Sequence, residues 1–235
     1  MSVPTREYAY KIFSLLKQHY PKAQMILQWG NNWELMVAIM LSAQCTDIMV
    51  NKVTAKLFPK YRELSTNPRK QYAWDNENYT IDELQWNEIV TFATVPRNEL
   101  EHDIKSTGFY HNKAKNIQAA AKVLLETYHG IFPRTMKELI ALPGVGRKTA
   151  NVFLGNAYQI YEGIAVDTHV RKQAQLLGLT TNTNPDKIEQ DLMKLYDQKD
   201  WFTLTYLLIE HGRNMRRKKT ERKICDDKKC RLCNL

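Results

Sequence analysis

Leu142-Pro143-Gly144-Val145-Gly146-Arg147-Lys148-Thr149-Ala150-Asn151-Val152-Phe153-Leu154-Gly155-Asn156-Ala157-Tyr158, with Val166-Asp167-Thr168-His169 just downstream, is the stretch on which the fold turns. Gly144 and Gly146 flank Val145 between two short helical segments. Glycine there permits a tight turn whose backbone N–H groups point outward, unobstructed by a Cβ. A helix starting at about Arg147 adds its own unpaired N–H groups and the positive end of its dipole, a combination that attracts an anion such as a phosphate. Two readings of the turn stand side by side: a helix-hairpin-helix that grips a phosphodiester backbone, and a plain corner between helices that needs glycine for packing.

Lys148 favours the first reading. An ammonium in the first turn of a helix lies at the unfavourable end of the dipole, where the neutral amine gains ground. A neutral amine is a nucleophile: attack on C1′ of a damaged nucleotide expels the base, leaves a Schiff base on the sugar and permits β-elimination of the 3′ phosphate. The plainer role of Lys148 is a phosphate contact, which Arg147 would make equally well. Asp167 follows Ile164-Ala165-Val166 and precedes a predicted helix, so it is expected to cap that helix by accepting the amides of 168–170. Those donors keep the carboxylate ionised, and an ionised carboxylate beside a sugar stabilises a developing oxocarbenium ion or assists the attacking amine. The capping and catalytic roles are compatible. His169 reads as a helix-start histidine satisfied locally.

The 235 residues are enough for a substantial core, and 43% apolar with 25% charged residues is ordinary globular usage. The formal net charge is +9, and seven of those nine charges come from residues 211–231, where ten Lys/Arg face three acidic residues. An anionic partner follows; on composition alone nucleic acid and an acidic membrane surface both fit. The longest apolar run, 33–41 with Glu34 inside it, falls well short of the roughly 20 residues a membrane-spanning helix needs. Met-Ser-Val-Pro-Thr-Arg-Glu at the start lacks the basic segment and apolar core of a signal peptide. A cytoplasmic, nucleoid-associated protein with no membrane partner is expected. Cys225, Cys230 and Cys233 crowd the far end, with Cys45 apart as a packing thiol. This pattern suits metal ligands or their remnants better than a disulfide framework.

Helical spacing recurs along nearly the whole chain and no alternating β-branched run interrupts it, so an all-α fold is expected. Thr5 is placed to cap a helix to about residue 19, stopped by Pro21. Residues 33–42, apolar nearly all round, read as a central core helix. Asp47 suits the cap of a third helix ending near Pro59. Residues 65–98 read as an irregular excursion containing a short helical candidate at 81–90. Helices are expected at 99–107, 112–129 and 135–141, broken at Gly108 and at Gly130-Ile131-Phe132-Pro133. After the 142–158 stretch come helices at 168–177, 185–196 and 201–211. Residues 1–213 are taken as one helical body, with the hairpin motif at about 135–157, and 214–235 as a basic cysteine-containing tail.

Several further segments resemble one family. Leu41-Ser42-Ala43-Gln44-Cys45-Thr46-Asp47 and Val50-Asn51-Lys52-Val53-Thr54-Ala55-Lys56-Leu57 are similar to its early helices and connecting loop, and Gly108-Phe109-Tyr110-His111-Asn112-Lys113-Ala114 to a second DNA-contacting loop. The 142–151 stretch with Val166-Asp167-Thr168-His169 matches its catalytic core, and Glu210-His211-Gly212-Arg213 introduces its metal loop. On these residues the chain is identified as a member of the helix-hairpin-helix DNA glycosylase superfamily, resembling its endonuclease III family. The resemblance implies two helical lobes with the active-site cleft between them. It also implies base excision repair by a bifunctional DNA glycosylase and AP lyase that flips oxidised pyrimidines from duplex DNA. Lys148 would be the Schiff-base nucleophile and Asp167 the essential carboxylate. Gln44 and Phe109 would enter the duplex as plug and wedge, and Gly144, Val145, Gly146 and Arg147 would hold the backbone. Taken without the resemblance, Gln44 is a polar helix end and Phe109 a core aromatic. The partner is double-stranded DNA with a damaged or abasic nucleotide, and the protein is expected to act as a monomer.

The tail departs from the family pattern. Arg216 stands where the family places the first of four cysteines that ligate a [4Fe–4S] cluster, and only Cys225, Cys230 and Cys233 follow. Three thiolates hold a labile cluster with some other ligand, or zinc with a nitrogen or oxygen donor, or nothing; a degenerate site is expected, and the lysine chemistry needs no cofactor. Two rivals remain: a non-catalytic helix-hairpin-helix DNA-binding module, and a zinc-binding regulator using the three tail cysteines. A glycosylase with a different lesion preference is a third variant.

Overall fold

The computed structural model describes residues 4–64 and 83–220, with side chains assigned over 4–64 and 84–215. Among the described residues there are eleven α-helices, one turn of 3-10 helix and no strand. The helices are α1 (Arg6–His19), α2 (Asn32–Leu41), α3 (Asp47–Glu63), α4 (Glu83–Thr94), α5 (Arg97–Ile104), α6 (Tyr110–Tyr128), α7 (Met136–Leu139), α8 (Arg147–Tyr158), α9 (Thr168–Leu176), α10 (Pro185–Leu195) and α11 (Gln198–Thr220). None is long and apolar enough to cross a membrane.

The chain forms two compact units, one from Met1–Met25 with Tyr161–Leu235, the other from Ile26–Ile160. In the first, α1 contributes Ala9, Ile12 and Leu16, which pack with Val170 and Ala174 of α9, Ile188 and Leu192 of α10, and Leu204 and Leu207 of α11. Tyr196 closes this core, its hydroxyl donating to the Ala9 carbonyl at 3.0 Å. In the second unit α2 is the central element. Every residue from Trp33 to Leu41 is buried, as an all-round apolar helix requires, and α3, α4, α6 and α8 surround it.

Five features differ from the sequence reading. Thr46, not Asp47, caps α3, accepting from the Met49 amide at 3.3 Å; both residue types suit the site, and Asp47 becomes the acidic first residue. The same helix runs through Pro59 to Glu63, because the turn beyond the proline is held from outside: Lys60 pairs with Asp103 (2.7 Å) and Glu99 (2.8 Å), Tyr61 is buried, and Arg62 pairs with Glu34 and Glu88. The excursion assigned to 65–98 contains a full helix, α4. Its Trp86, Ile89, Val90 and Ala93 face the core at helical spacing; residues 65–82 lie outside the described set. The helix placed at 135–141 is a single turn capped by Thr135, and the last helix extends at both ends, from Gln198 to Thr220. Lys60 and Arg62 each pair with two carboxylates while keeping part of the side chain exposed.

The N-terminal end of α2 carries a buried charge cluster. Asn31 caps the helix, accepting from the Glu34 amide (3.0 Å), and its own amide donates to Glu88 (2.6 Å). Arg62 lies between Glu34 and Glu88, with its Nε 2.6 Å from Glu88. One guanidinium faces two carboxylates that are both about 99% buried or more. Burial pushes the Glu88 carboxyl up to about 7, with the nearby Glu34 charge acting in the same direction against Asn31 and Arg62. Because the folded protein holds this proton more tightly than the unfolded chain, stability from it is complete below about pH 4.5 and is lost as pH rises through about 7. Glu88→Gln should flatten the wild-type decline, worth on the order of 2–3 kcal/mol between about pH 5 and pH 8, in urea melts at each pH. Equal slopes for the two proteins would contradict this account.

Candidate functional site

The hairpin is built as the glycines demand. Gly144 has φ +78°, and a Cβ there would lie 2.7 Å from Asn116 Cβ on α6 and 2.9 Å from Met40 Cε on α2. Both its backbone angle and its surroundings therefore require glycine. Val145 turns its side chain into the core, so it offers the ligand only backbone atoms. Gly146 is different. It caps α8 in an extended conformation, has an ordinary φ of −95°, and a Cβ on it would meet nothing within 4 Å. Nothing in the chain demands its glycine, and the space in front of it is open to a ligand.

Capping chemistry sharpens the contrast. The first turns of α1, α2, α3, α7, α9 and α10 are closed by side chains of Thr5, Asn31, Thr46, Thr135, Asp167 and Asn184. The cap of α8 is a glycine and that of α6 is Phe109, and neither supplies a capping side chain. At α8 the orphan amides, the dipole and the exposed Arg147 and Lys148 form one anion-attracting surface. Lys148 is the second residue of that helix.

Asp167 caps α9, its Oδ1 accepting from the Val170 amide at 2.7 Å, as the sequence predicts. The helix it starts is pinned from behind: α11 passes so close that a Cβ on Gly212 would lie 2.7 Å from His169 Nδ1. Beside it, His211 is buried and its Nδ1 lies 3.0 Å from the Tyr20 hydroxyl. The Glu210-His211-Gly212-Arg213 segment thus fixes the first turn of α9, and His169 is a packed helix-start residue. Lys148 belongs to the 26–160 unit and Asp167 to the other.

Gln44 and Phe109 share an uncommon backbone. Among the described residues four non-glycine residues have positive φ. His129 and Gln159 simply end α6 and α8, where a left-handed residue is routine. Gln44 (φ +53°) and Phe109 (φ +49°) do not end helices that way: one lies in the turn between α2 and α3, the other directly precedes α6 after Gly108. Left-handed geometry costs such residues roughly 1–2 kcal/mol. Both are exposed, Phe109 at 63%, which corrects its reading as a core aromatic; Cys45 beside Gln44 is half-buried rather than enclosed.

Lys113 ties these two turns together, and the sequence reading quoted it without giving it a role. Its ammonium is buried and donates to the Leu41 carbonyl at the end of α2 and to the Thr107 carbonyl at the end of the 3-10 turn, each at 2.8 Å. Burial lowers its pKa, opposed by the neighbouring Cys45. The available signal was its register: with Ala114, Ile117, Ala121 and Leu124 it lies on the apolar face of α6. Asn116, one turn along α6, and Met40, at the end of α2, are the residues that crowd Gly144. The ends of α2 and α6 therefore hold the Gln44 turn, the Phe109 turn and the glycine hairpin in one unit. Cys225, Cys230 and Cys233 lie outside the described residues, and among those described no three His, Cys, Asp or Glu side chains gather to hold a metal.

Residues 37–198 match the HhH-GPD superfamily, whose description is base excision DNA repair protein, and the chain belongs to that family. It is 43% identical over 208 residues to endonuclease III of Synechocystis sp., covering 88% of this chain and 84% of the relative. It is also 41% identical to endonuclease III of Bacillus subtilis, covering 83% of this chain and 77% of that one. Among solved structures it resembles a non-covalent endonuclease III–DNA complex (TM-score 0.79, 34% identity, 99% and 95% coverage). It resembles a trapped endonuclease III–DNA covalent intermediate as well (TM-score 0.76, 37% identity, 90% and 87% coverage).

The two hairpin glycines should separate on substitution. Gly144→Ala should lower stability by roughly 2 kcal/mol or more, from the left-handed backbone and the crowding together. Gly146→Ala should cost at most about 1 kcal/mol at a helix cap while weakening binding to duplex DNA. Thermal melts and fluorescence anisotropy check the pair; the same loss of stability in both variants would contradict the assignment of Gly146 to the ligand.

Proposed function

We propose that the protein excises oxidised pyrimidines from duplex DNA and then cuts the strand, as a bifunctional DNA glycosylase and AP lyase. The observation that carries this reading is Lys148: an exposed amine in the first turn of α8, directly behind the uncapped Gly146, where a gripped phosphate brings the sugar within its reach. The likeness to a covalently trapped endonuclease III–DNA complex supports it.

The chemistry follows from the groups assigned. Backbone amides of the hairpin and Arg147 hold the phosphodiester, while Gln44 and Phe109 fill the gap left by the extruded nucleotide. The Lys148 amine attacks C1′; the new N–C bond forms as the glycosidic bond breaks, and the base departs and takes up a proton. Asp167, oriented by the Val170 amide, stabilises positive charge developing on the sugar. Ring opening gives the imine, and loss of a C2′ proton expels the 3′ phosphate. A [4Fe–4S] cluster takes four cysteine ligands, whereas the tail offers three thiolates, so this donor set does not fit the group, and the lysine chemistry needs none. Action in the cytoplasm at the nucleoid, as a monomer, is part of the same proposal.

Lys148→Gln should lower cleavage of an abasic duplex by roughly a thousandfold or more, with DNA binding retained. Asp167→Asn keeps an acceptor for the cap and should slow base release by roughly a hundredfold without unfolding the protein. Strand cleavage should persist in EDTA. A panel of thymine-glycol, uracil-mismatch, 8-oxoguanine and plain abasic duplexes reads out the substrate. Cleavage of none of them by the wild type would leave a DNA-binding module, and full activity in Lys148→Gln would remove the assigned nucleophile.

A further inference from the structure

Lys113 is the one described lysine that is buried, and the reaction described above leaves it unused. A buried ammonium is costly unless its donors are satisfied, and here the two acceptors are carbonyls from different segments, 72 and 6 residues away in sequence. Leu41 is the last residue of α2, where carbonyls lack intrahelical partners and a cation is favoured by the dipole; Thr107 ends the 3-10 turn. Gln44 follows Leu41 by three residues, and Phe109 follows Thr107 by two. The Lys113 amide itself donates to the Phe109 carbonyl at 3.1 Å, so one residue is bonded to the Phe109 turn through both its backbone and its side chain.

We propose that Lys113 is a positioning residue that fixes the spacing between Gln44 and Phe109, and so acts in opening the duplex rather than in breaking bonds. This rests on the reading of Gln44 and Phe109 as plug and wedge. Each turn places a residue in a left-handed backbone that relaxes if its anchor is lost. A single ammonium bonded to both anchors prevents the two turns from relaxing independently. Removing it displaces the inserted groups relative to each other, while the hairpin, Arg147 and Lys148 keep their own supports.

The test uses the full-length protein and a duplex carrying a tetrahydrofuran residue, which cannot form an imine, beside 2-aminopurine. Anisotropy reports binding and 2-aminopurine fluorescence reports unstacking. The abasic strand alone, with no stack to open, reports the lysine chemistry. Lys113→Met, of similar length and without donors, should bind the duplex yet give less than about half the wild-type fluorescence rise. It should cleave abasic duplex at least roughly tenfold more slowly while cleaving the single strand at a rate close to wild type. In a Gln44→Ala, Phe109→Ala background the same change should have no further effect on the duplex. An undiminished fluorescence rise, or equal losses on duplex and single strand, would overturn the proposal. Should Lys113→Met not fold, Lys113→Arg, whose longer arm displaces the two carbonyls, is read by the same duplex-to-single-strand ratio, and an unchanged ratio overturns it. Wild-type protein that cleaves DNA without any fluorescence rise would instead remove the plug-and-wedge reading.

Discussion

One buried ammonium, bonded to the carbonyls that end α2 and the 3-10 turn, is the constraint around which the Gln44 and Phe109 turns are arranged. Lys113 reaches the end of α2 and the end of the 3-10 turn at the same 2.8 Å, and the chain leaves each of those ends through a left-handed residue with an exposed side chain. Desolvating an ammonium costs several kcal/mol unless its protons find acceptors, so the two ends cannot drift apart without stranding a charge. The same two helices also crowd Gly144. The glycine hairpin and the Gln44 and Phe109 turns are thereby presented by one packed body.

Helix α2 connects this region to the second buried charge cluster. At its N-terminal end Asn31, Glu34, Glu88 and Arg62 hold α2, α3 and α4 together through one guanidinium; at its C-terminal end Lys113 holds the turns. Between them lies the apolar stretch 35–41 of α2, every residue of which is buried. In the other unit the logic is simpler. Asp167 is oriented by the amide it caps, and Gly212 lets α11 press on His169 so that the cap cannot tilt.

Much of this was legible in the chain. Cap residues with a clear chemistry gave their helices away: Thr5 and Asp167 start α1 and α9 where short-range rules put them, and α10 begins at Pro185 as the periodicity placed it. The glycine turn and Lys148 were readable because backbone geometry and dipole are local properties. The cap of α3 was a local choice between Thr46 and Asp47, whereas the larger misreadings come from tertiary contacts overriding local preference. Pro59 does not end α3 because Lys60, Tyr61 and Arg62 are held by α2, α4 and α5. The helical candidate at 81–90 proved to be α4, running on to Thr94; its polar Glu88 is buried against Arg62 of α3, a pairing that weakens its apolar pattern. Lys113 stood on an apolar face in plain view, but its acceptors are backbone carbonyls, which no side-chain pattern announces. Phe109 was the reverse case, an aromatic that local rules bury and the fold exposes.

The central claim is that an amine at the start of α8 becomes bonded to the sugar. Borohydride reduction of the wild-type protein on an abasic duplex, followed by proteolysis and mass mapping of the DNA-bearing peptide, addresses it most directly. The account requires the modification on Lys148, in a peptide from the 147–158 helix. A deoxyribose remnant on any other lysine or on the terminal amine, or strand cleavage with no reducible adduct, would contradict it.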